Sequence, residues 1–178
     1  MAPEDDEELL RTERLRLRAW TTSPADVARL TDIYGRDEVT RWIGGPPSVP
    51  PDQLPARWAS IHAQDERFGC WAIEVPAEHR VAGTVLFKPL PNGVGEVEVG
   101  WHLHPDCWGR GYATEAARAV IARGFEAGLP EVYAVVRPGN EPSMAVCRRL
   151  GMQPLGRMRR WYDVDLEAFR LMASSVVE

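Results

Sequence analysis

Near the middle of the chain an alternating run, Glu96-Val97-Glu98-Val99-Gly100-Trp101-His102-Leu103, leads through the turn Trp108-Gly109-Arg110-Gly111 into a stripe of apolar residues. The run has the period of two of a strand. The stripe is Ala113, Ala116, Ala117, Val120, Ile121, Gly124 and Phe125, with Glu115, Arg118 and Arg123 off it, the pattern of an amphipathic helix with a close-packing face. A strand that ends in a glycine-bearing turn and opens a helix aims unpaired amides at one point, where the helix dipole favours an anion. Gly109 and Gly111 let the backbone approach a pyrophosphate closely, and Arg110 can add charge at the rim. A turn of this kind can also simply reverse the chain. Two familiar phosphate sites do not fit: the third glycine of a Rossmann fingerprint is Thr114, and the Gly-Lys-Ser/Thr ending of a Walker loop is absent.

The flanking sequence limits the fold around this unit. Leu15 to Trp20 alternates as a strand, and Ser23-Pro24-Ala25-Asp26 reads as a helix start, with Ser23 as N-cap and Asp26 completing a capping box. The stretch 44–51, Gly-Gly-Pro-Pro-Ser-Val-Pro-Pro, is a loop, because proline lacks the amide donor and glycine costs backbone entropy. A second helix is expected from Asp52, as its cap, to about Gln64. Strands follow at 70–75 and 81–87 around a Pro-Ala-Glu-His turn, then at 132–136. A helix runs from an N-cap at Asn140 to a stop at Gly151, and the tail around Trp161 to Leu166 suggests a final strand or two. Two helices, an antiparallel meander, then strand-helix-strand-helix-strand describe a mixed sheet of the α+β class.

Composition narrows the setting. With 178 residues, 44% of them hydrophobic and 26% charged, the chain fits one globular domain and has no apolar run of membrane-spanning length. The acidic start lacks the basic and apolar regions of a secretory signal, so 1–11 is read as a disordered lead-in and 12–178 as the domain. Cys70, Cys107 and Cys147 form neither an even disulfide set nor a Cys-x-x-Cys pair, which favours a reducing cytoplasm. A net charge of -5 disfavours nucleic-acid binding and favours cationic partners; the run Arg157, Arg159, Arg160 reads as a solvated face.

Six segments together resemble the GNAT superfamily of N-acetyltransferases, and within it the ribosomal-protein N-terminal acetyltransferase-like branch. They are Thr12-Glu13-Arg14-Leu15-Arg16-Leu17-Arg18, Trp71-Ala72-Ile73 with Gly83-Thr84-Val85, Trp108 to Ala116, Asn140-Glu141-Pro142-Ser143, and Arg149-Leu150-Gly151-Met152. The resemblance covers roughly Thr12 to Phe169. It implies acetyl-CoA as cosubstrate, no metal, and a mostly antiparallel mixed sheet flanked by helices and splayed between 96–103 and 132–136. The backbone at Trp101, His102 and Leu103 would meet the pantetheine and the acetyl carbonyl. Trp108, Gly109, Arg110, Gly111, Tyr112, Ala113 and Thr114 would hold the pyrophosphate, and Asn140 would sit near the thioester. The family's turn reads Gln/Arg-x-x-Gly-x-Gly/Ala; Trp108 stands at the Gln/Arg position, as this branch commonly allows.

The resemblance also supplies catalytic expectations. Glu98 is the candidate base, because the family often places a carboxylate on this strand; Glu96 shares its face by the period of two. Many relatives use a tyrosine in the late helix as acid, but Cys147 stands there, which leaves Ser143 to hydrogen-bond the departing sulfur. His102 and His104 resemble half a metal site without a third ligand, and packing or pocket lining is the expectation. Cys107 is read as incidental, and Trp42, Trp58 and Trp161 as core or pocket wall. The acceptor is expected to be a primary amine, a protein or peptide N-terminus ahead of a small amine or aminoglycoside. At pH 7 roughly a tenth or more of an α-amine is neutral, against under about 0.1% of a lysine. Its pocket would form from the early helices, the 44–51 loop and the C-terminal strands. The branch often forms homodimers, for which an exposed late strand is the candidate edge. A noncatalytic acyl-CoA-binding regulatory protein and a nucleic-acid-binding module are the competing readings.

Overall fold

The structure, a computed structural model, describes residues 8–176. Its strands are β1 (Glu8–Arg11), β2 (Arg16–Ala19), β3 (Gly69–Val75), β4 (Arg80–Pro89), β5 (Val97–Leu103), β6 (Glu131–Val136), β7 (Gln153–Met158) and β8 (Leu166–Met172). They form one sheet in the order β1-β2-β3-β4-β5-β6-β8-β7. Every neighbouring pair is antiparallel except β5 and β6, which are parallel because the helix between them carries the chain back across the sheet. The helices are α1 (Pro24–Tyr34), α2 (Asp37–Thr40), α3 (Leu54–Gln64), α4 (Tyr112–Glu126) and α5 (Glu141–Arg149). This is the α+β architecture expected from the sequence. Among the described residues no helix is long and apolar enough to cross a membrane.

Strand alternation gives the sheet two apolar faces. On one, Trp71, Ile73, Val85, Phe87, Val97 and Val99 pack with Ala116, Ala117, Val120 and Ile121 of α4. On the other, Ala72 packs with Trp20 and with Leu30, Ile33 and Tyr34 of α1. Gly83 lets β4 and β5 approach closely: a Cβ there would lie 2.1 Å from the His102 carbonyl oxygen. α1 is tied to the sheet by Arg18, whose guanidinium grips the Asp26 carboxylate at 2.8 and 3.0 Å in a buried pair.

Several local expectations are revised. Glu8–Arg11 is a strand, held by Leu10 opposite Leu17 and by the Glu8 carboxylate on the Arg11 and Arg16 guanidiniums at 2.9 and 2.8 Å. The rest of the expected lead-in, 1–7, lies outside the described residues. Ser23 does cap α1, accepting from the Asp26 amide at 3.3 Å. Asp26 completes no capping box; its carboxylate turns to Arg18 and to the Thr21 amide at 2.8 Å. Burial works against that carboxylate, but these donors outweigh it and hold its pKa below the ordinary value. Asp52 caps nothing: Pro51–Gln53 is a 3₁₀ turn, and α3 starts at Leu54. The Trp161 to Asp165 stretch is the connection between β7 and β8, with Asp163 at φ 55°. The basic run is ion-paired, Arg157 with Glu167 at 3.0 Å, Arg159 with Asp165 at 3.6 Å, and Arg160 with Glu96.

Candidate active site

The glycine turn bends as the chemistry of its residues requires. Gly109 and Gly111 take φ of 73° and 81°, left-handed values costly for any side chain, and Gly111 is the N-cap of α4. The first amide engaged by the helix is that of Glu115, on the Gly111 carbonyl at 3.1 Å. Among the described residues the amides from Gly109 to Thr114 have no protein acceptor. The buried Thr114 hydroxyl likewise has none. Unspent donors converging at a helix N-terminus fit the pyrophosphate of coenzyme A.

The turn's side chains serve the scaffold. Arg110 pairs with Glu78 at 2.8 Å, and the buried Tyr112 donates its hydroxyl to the same carboxylate at 2.6 Å. The charge expected at the phosphate rim is therefore already compensated. The Trp108 indole N–H donates to the Leu103 carbonyl at 2.9 Å, pinning the turn to the end of β5. Arg14 braces the turn from outside: it donates to the Arg110 carbonyl at 2.8 Å and to Glu115 at 2.7 Å, and its guanidinium lies 4.8 Å from the Tyr112 ring centre. Thr12 adds its hydroxyl to the same Glu115 at 2.5 Å. The Thr12–Arg14 segment thus positions the first turn of α4.

β5 and β6 separate beside this turn. Their ladder has a single registered pair, Glu98 opposite Tyr133, whereas β4 and β5 pair along the whole of β5. The His104 amide bonds to the Ala82 carbonyl, which fixes the alternation of that ladder. It follows that Trp101 and Leu103 direct their backbone groups into the gap, while His102 directs its own to β4. The Leu103 carbonyl is already engaged by Trp108, so of the three residues expected to meet the cofactor, Trp101 has the freest backbone. Trp101 also sends its indole N–H 3.4 Å to Ser143 Oγ on α5. Asn140 caps α5 through Oδ1, accepting from the Ser143 amide at 3.4 Å, and lines the cleft with Ser143.

The gap continues into a cleft of about 1460 Å³ that reaches the α1 side of the sheet. Its floor is Glu98, 4% exposed. Oε1 takes the Tyr162 hydroxyl and lies 3.2 Å from Lys88 Nζ, while Oε2 has no partner among the described residues. Burial, then the adjacent Glu98 charge, pushes the Tyr162 phenol far above its ordinary pKa, so it remains a donor. Glu96, on the same face, pairs with Arg160 outside the cleft. His102 lies 3.1 Å from the Tyr34 hydroxyl, which donates to Thr84 at 3.0 Å. Burial, with Lys88 adding to it, lowers the His102 pKa from 6.5 to about 4, so the ring is neutral. Trp42 and Trp58 line the walls.

Other candidates stand apart. His104 Nε2 is 2.7 Å from Asp32, and among the described residues no group of three His, Cys, Asp or Glu side chains could hold a metal. Trp161 is core, packed on Tyr133. Cys107 and Cys147 are buried thiols pushed up by desolvation to about 11 and about 12. The pairing of Arg14 with Glu115, and the roles of Lys88 and Tyr162, are not read from the sequence. Arg14 stands 101 residues from Glu115, and Tyr162 64 from Glu98, so no local pattern could announce them.

A sheet opened to pass a long ligand, with free amides at one end and a carboxylate floor at the other, is the layout of a group transferase with two substrates. The acetyltransferase (GNAT) domain family matches residues 14–153. The uncharacterized N-acetyltransferase p20 of Bacillus licheniformis is 32% identical over 176 residues, covering 93% of this chain and 96% of that protein. Among solved structures, an acetyltransferase from Agrobacterium tumefaciens superposes with a TM-score of 0.75 at 30% identity, covering 91% of this chain and 92% of that one. A ribosomal L7/L12 alpha-N-protein acetyltransferase in complex with coenzyme A shares the fold at a TM-score of 0.73 and 16% identity, over 93% and 98% of the two chains. The chain belongs to the GNAT acetyltransferase family and is an acetyl-CoA-dependent acyltransferase.

Proposed function

We propose that the chain moves the acetyl group directly to a primary amine, with a protein or peptide N-terminus as the acceptor ahead of small amines. The carrying observation is Glu98, which lines the cleft at the one registered β5–β6 pair and whose Oε2 has no partner among the described residues. Bound acetyl-CoA supplies an activated acyl carbon. Glu98 receives the amine proton, directly or through water, while Lys88 and Tyr162 fix its other oxygen. Ser143 Oγ accepts from Trp101 and so has its own hydroxyl proton to offer the departing sulfur. The tyrosine that many relatives place in α5 is Cys147 here, sealed in the core, so it supplies no proton.

The fold shared with a ribosomal-protein α-N-acetyltransferase supports the N-terminal acceptor and the ribosomal-protein branch at the level of architecture. Three free, buried cysteines support a reducing cytoplasm, which cell fractionation would test. β7, at the end of the sheet, is the edge proposed to pair in a homodimer, to be read by sedimentation. A noncatalytic acyl-CoA sensor has no use for a partnered carboxylate with one oxygen free. Thiol release from acetyl-CoA against peptides, polyamines and aminoglycosides tests the reading. Glu98→Gln is expected to lower turnover about a hundredfold or more with coenzyme A affinity kept; unchanged turnover with a lysine-like acceptor across pH removes Glu98 as base.

A further inference from the structure

Most arginines of this chain face a carboxylate; those lining the cleft without one are Arg118 and Arg149, where Arg118 donates to the Arg149 carbonyl, and a second set. Arg41, Arg57 and Arg137 make up that set, and none has an acidic partner among the described residues. Arg41 follows α2, Arg57 lies on α3, and Arg57 and Arg137 both reach the loop between α2 and α3. Arg137, half-buried at the end of β6, comes within 3.2 Å of where a Gly44 Cβ would stand. Arg57 donates to Ser48 at 3.0 Å, and Arg41 lies over the Trp42 ring at 5.1 Å. Gly44 and Gly45, at φ 94° and 112°, bend the loop between Arg41 and α3, and Arg41, Arg57 and Arg137 all line the one cleft. The acidic residues along the cleft do not neutralise them: Glu38 pairs with Arg36 at 3.5 Å, Glu115 is taken by Arg14, and Glu98 by Lys88. Glu13 is the one carboxylate left at the rim, next to Arg14 on the turn side.

A half-buried guanidinium without a counter-ion carries a desolvation cost that an anionic ligand relieves, and its planar fork matches a carboxylate. The pyrophosphate site lies elsewhere, at the α4 N-terminus. We infer that the acceptor is an amine that also carries a carboxylate, held by Arg137 together with Arg57 and Arg41 while its nitrogen faces Glu98 Oε2. This rests on the acyl-transfer reading above. As the nitrogen–acetyl carbon bond forms, the carbon–sulfur bond breaks, the amine proton goes to Glu98 or water, and the thiolate is protonated. The carboxylate itself stays unchanged and sets the pose. A free amino acid and an acidic peptide N-terminus both present this chemistry.

The test is calorimetry on the protein loaded with coenzyme A, so that binding is read without reaction. One arm uses amino acids against their amides, the other N-terminal peptides with aspartate against the same peptides with asparagine. The carboxylate member of one arm is expected to bind about tenfold or more tightly, and that arm names the source. In Arg137→Met, and in the exposed Arg57→Met, the ratio falls toward one with coenzyme A affinity retained. Equal binding of the two members, or no binding in either arm, overturns the inference. A carboxylate preference without thiol release from acetyl-CoA would instead sink the acyl-transfer reading and leave the anion site standing.

Discussion

The indole N–H of Trp108 donates to the carbonyl of Leu103 at 2.9 Å, tying the turn that opens α4 to the end of β5. The residue that replaces the family's Gln/Arg therefore acts on the protein's own backbone. Trp108→Phe keeps an aromatic ring and removes the donor. Since Trp108 is 49% exposed, melting should shift little, while coenzyme A binding should weaken about three- to tenfold, the worth of one hydrogen bond. Calorimetry beside a melting curve separates the two, and a variant with unaltered affinity would deny the tie a part in binding.

Gly111 makes a sharper test of the same turn. At φ 81° it holds a conformation that side chains rarely adopt, and a Cβ there would press to 3.2 Å from Arg14 Nη2. Gly111→Ala should cost about 1–2 kcal/mol of stability and, by reorienting the free amides, at least tenfold in coenzyme A affinity. Retained affinity measured by calorimetry would move the pyrophosphate away from this turn.

Protonation of His102 gives the fold a dependence on acid. Its folded pKa is depressed by burial and then by Lys88, to about 4 against 6.5 when exposed. The stability tied to the neutral ring is whole above about pH 6.5. It drains away as the unfolded chain takes up the proton, and levels off near pH 4 once the folded ring is protonated too. Between pH 7.5 and 5 the urea midpoint of the wild type should fall further than that of His102→Gln. Equal falls would show that the ring is not held neutral.

Where signals are local, the sequence anticipates the structure well. The alternation of β5, the stripe of α4, the Ser23 cap and the Asn140 cap each depend on neighbours within one turn or strand, and each stands within a residue or two of its expected place. The gap between β5 and β6 was expected from resemblance, and the single registered pair there matches it. Pairings made across the fold left no trace: Asp26 resembled a capping-box residue until Arg18 claimed it, and nothing near Glu98 in sequence points to Tyr162. Near the C-terminus, Pro154 and Gly156 break the register of β7 and hide its period, so the aromatic connection after it resembled the strand instead.

The central claim is that this cleft binds acetyl-CoA and passes its acetyl group to an amine. The most direct measurement titrates the protein with acetyl-CoA by calorimetry and then assays the same sample for free thiol with amine acceptors present. The account predicts saturable binding at one site and thiol release that depends on the acceptor. A folded sample that does not bind acetyl-CoA, or one that binds it and releases no thiol with any amine, would contradict it.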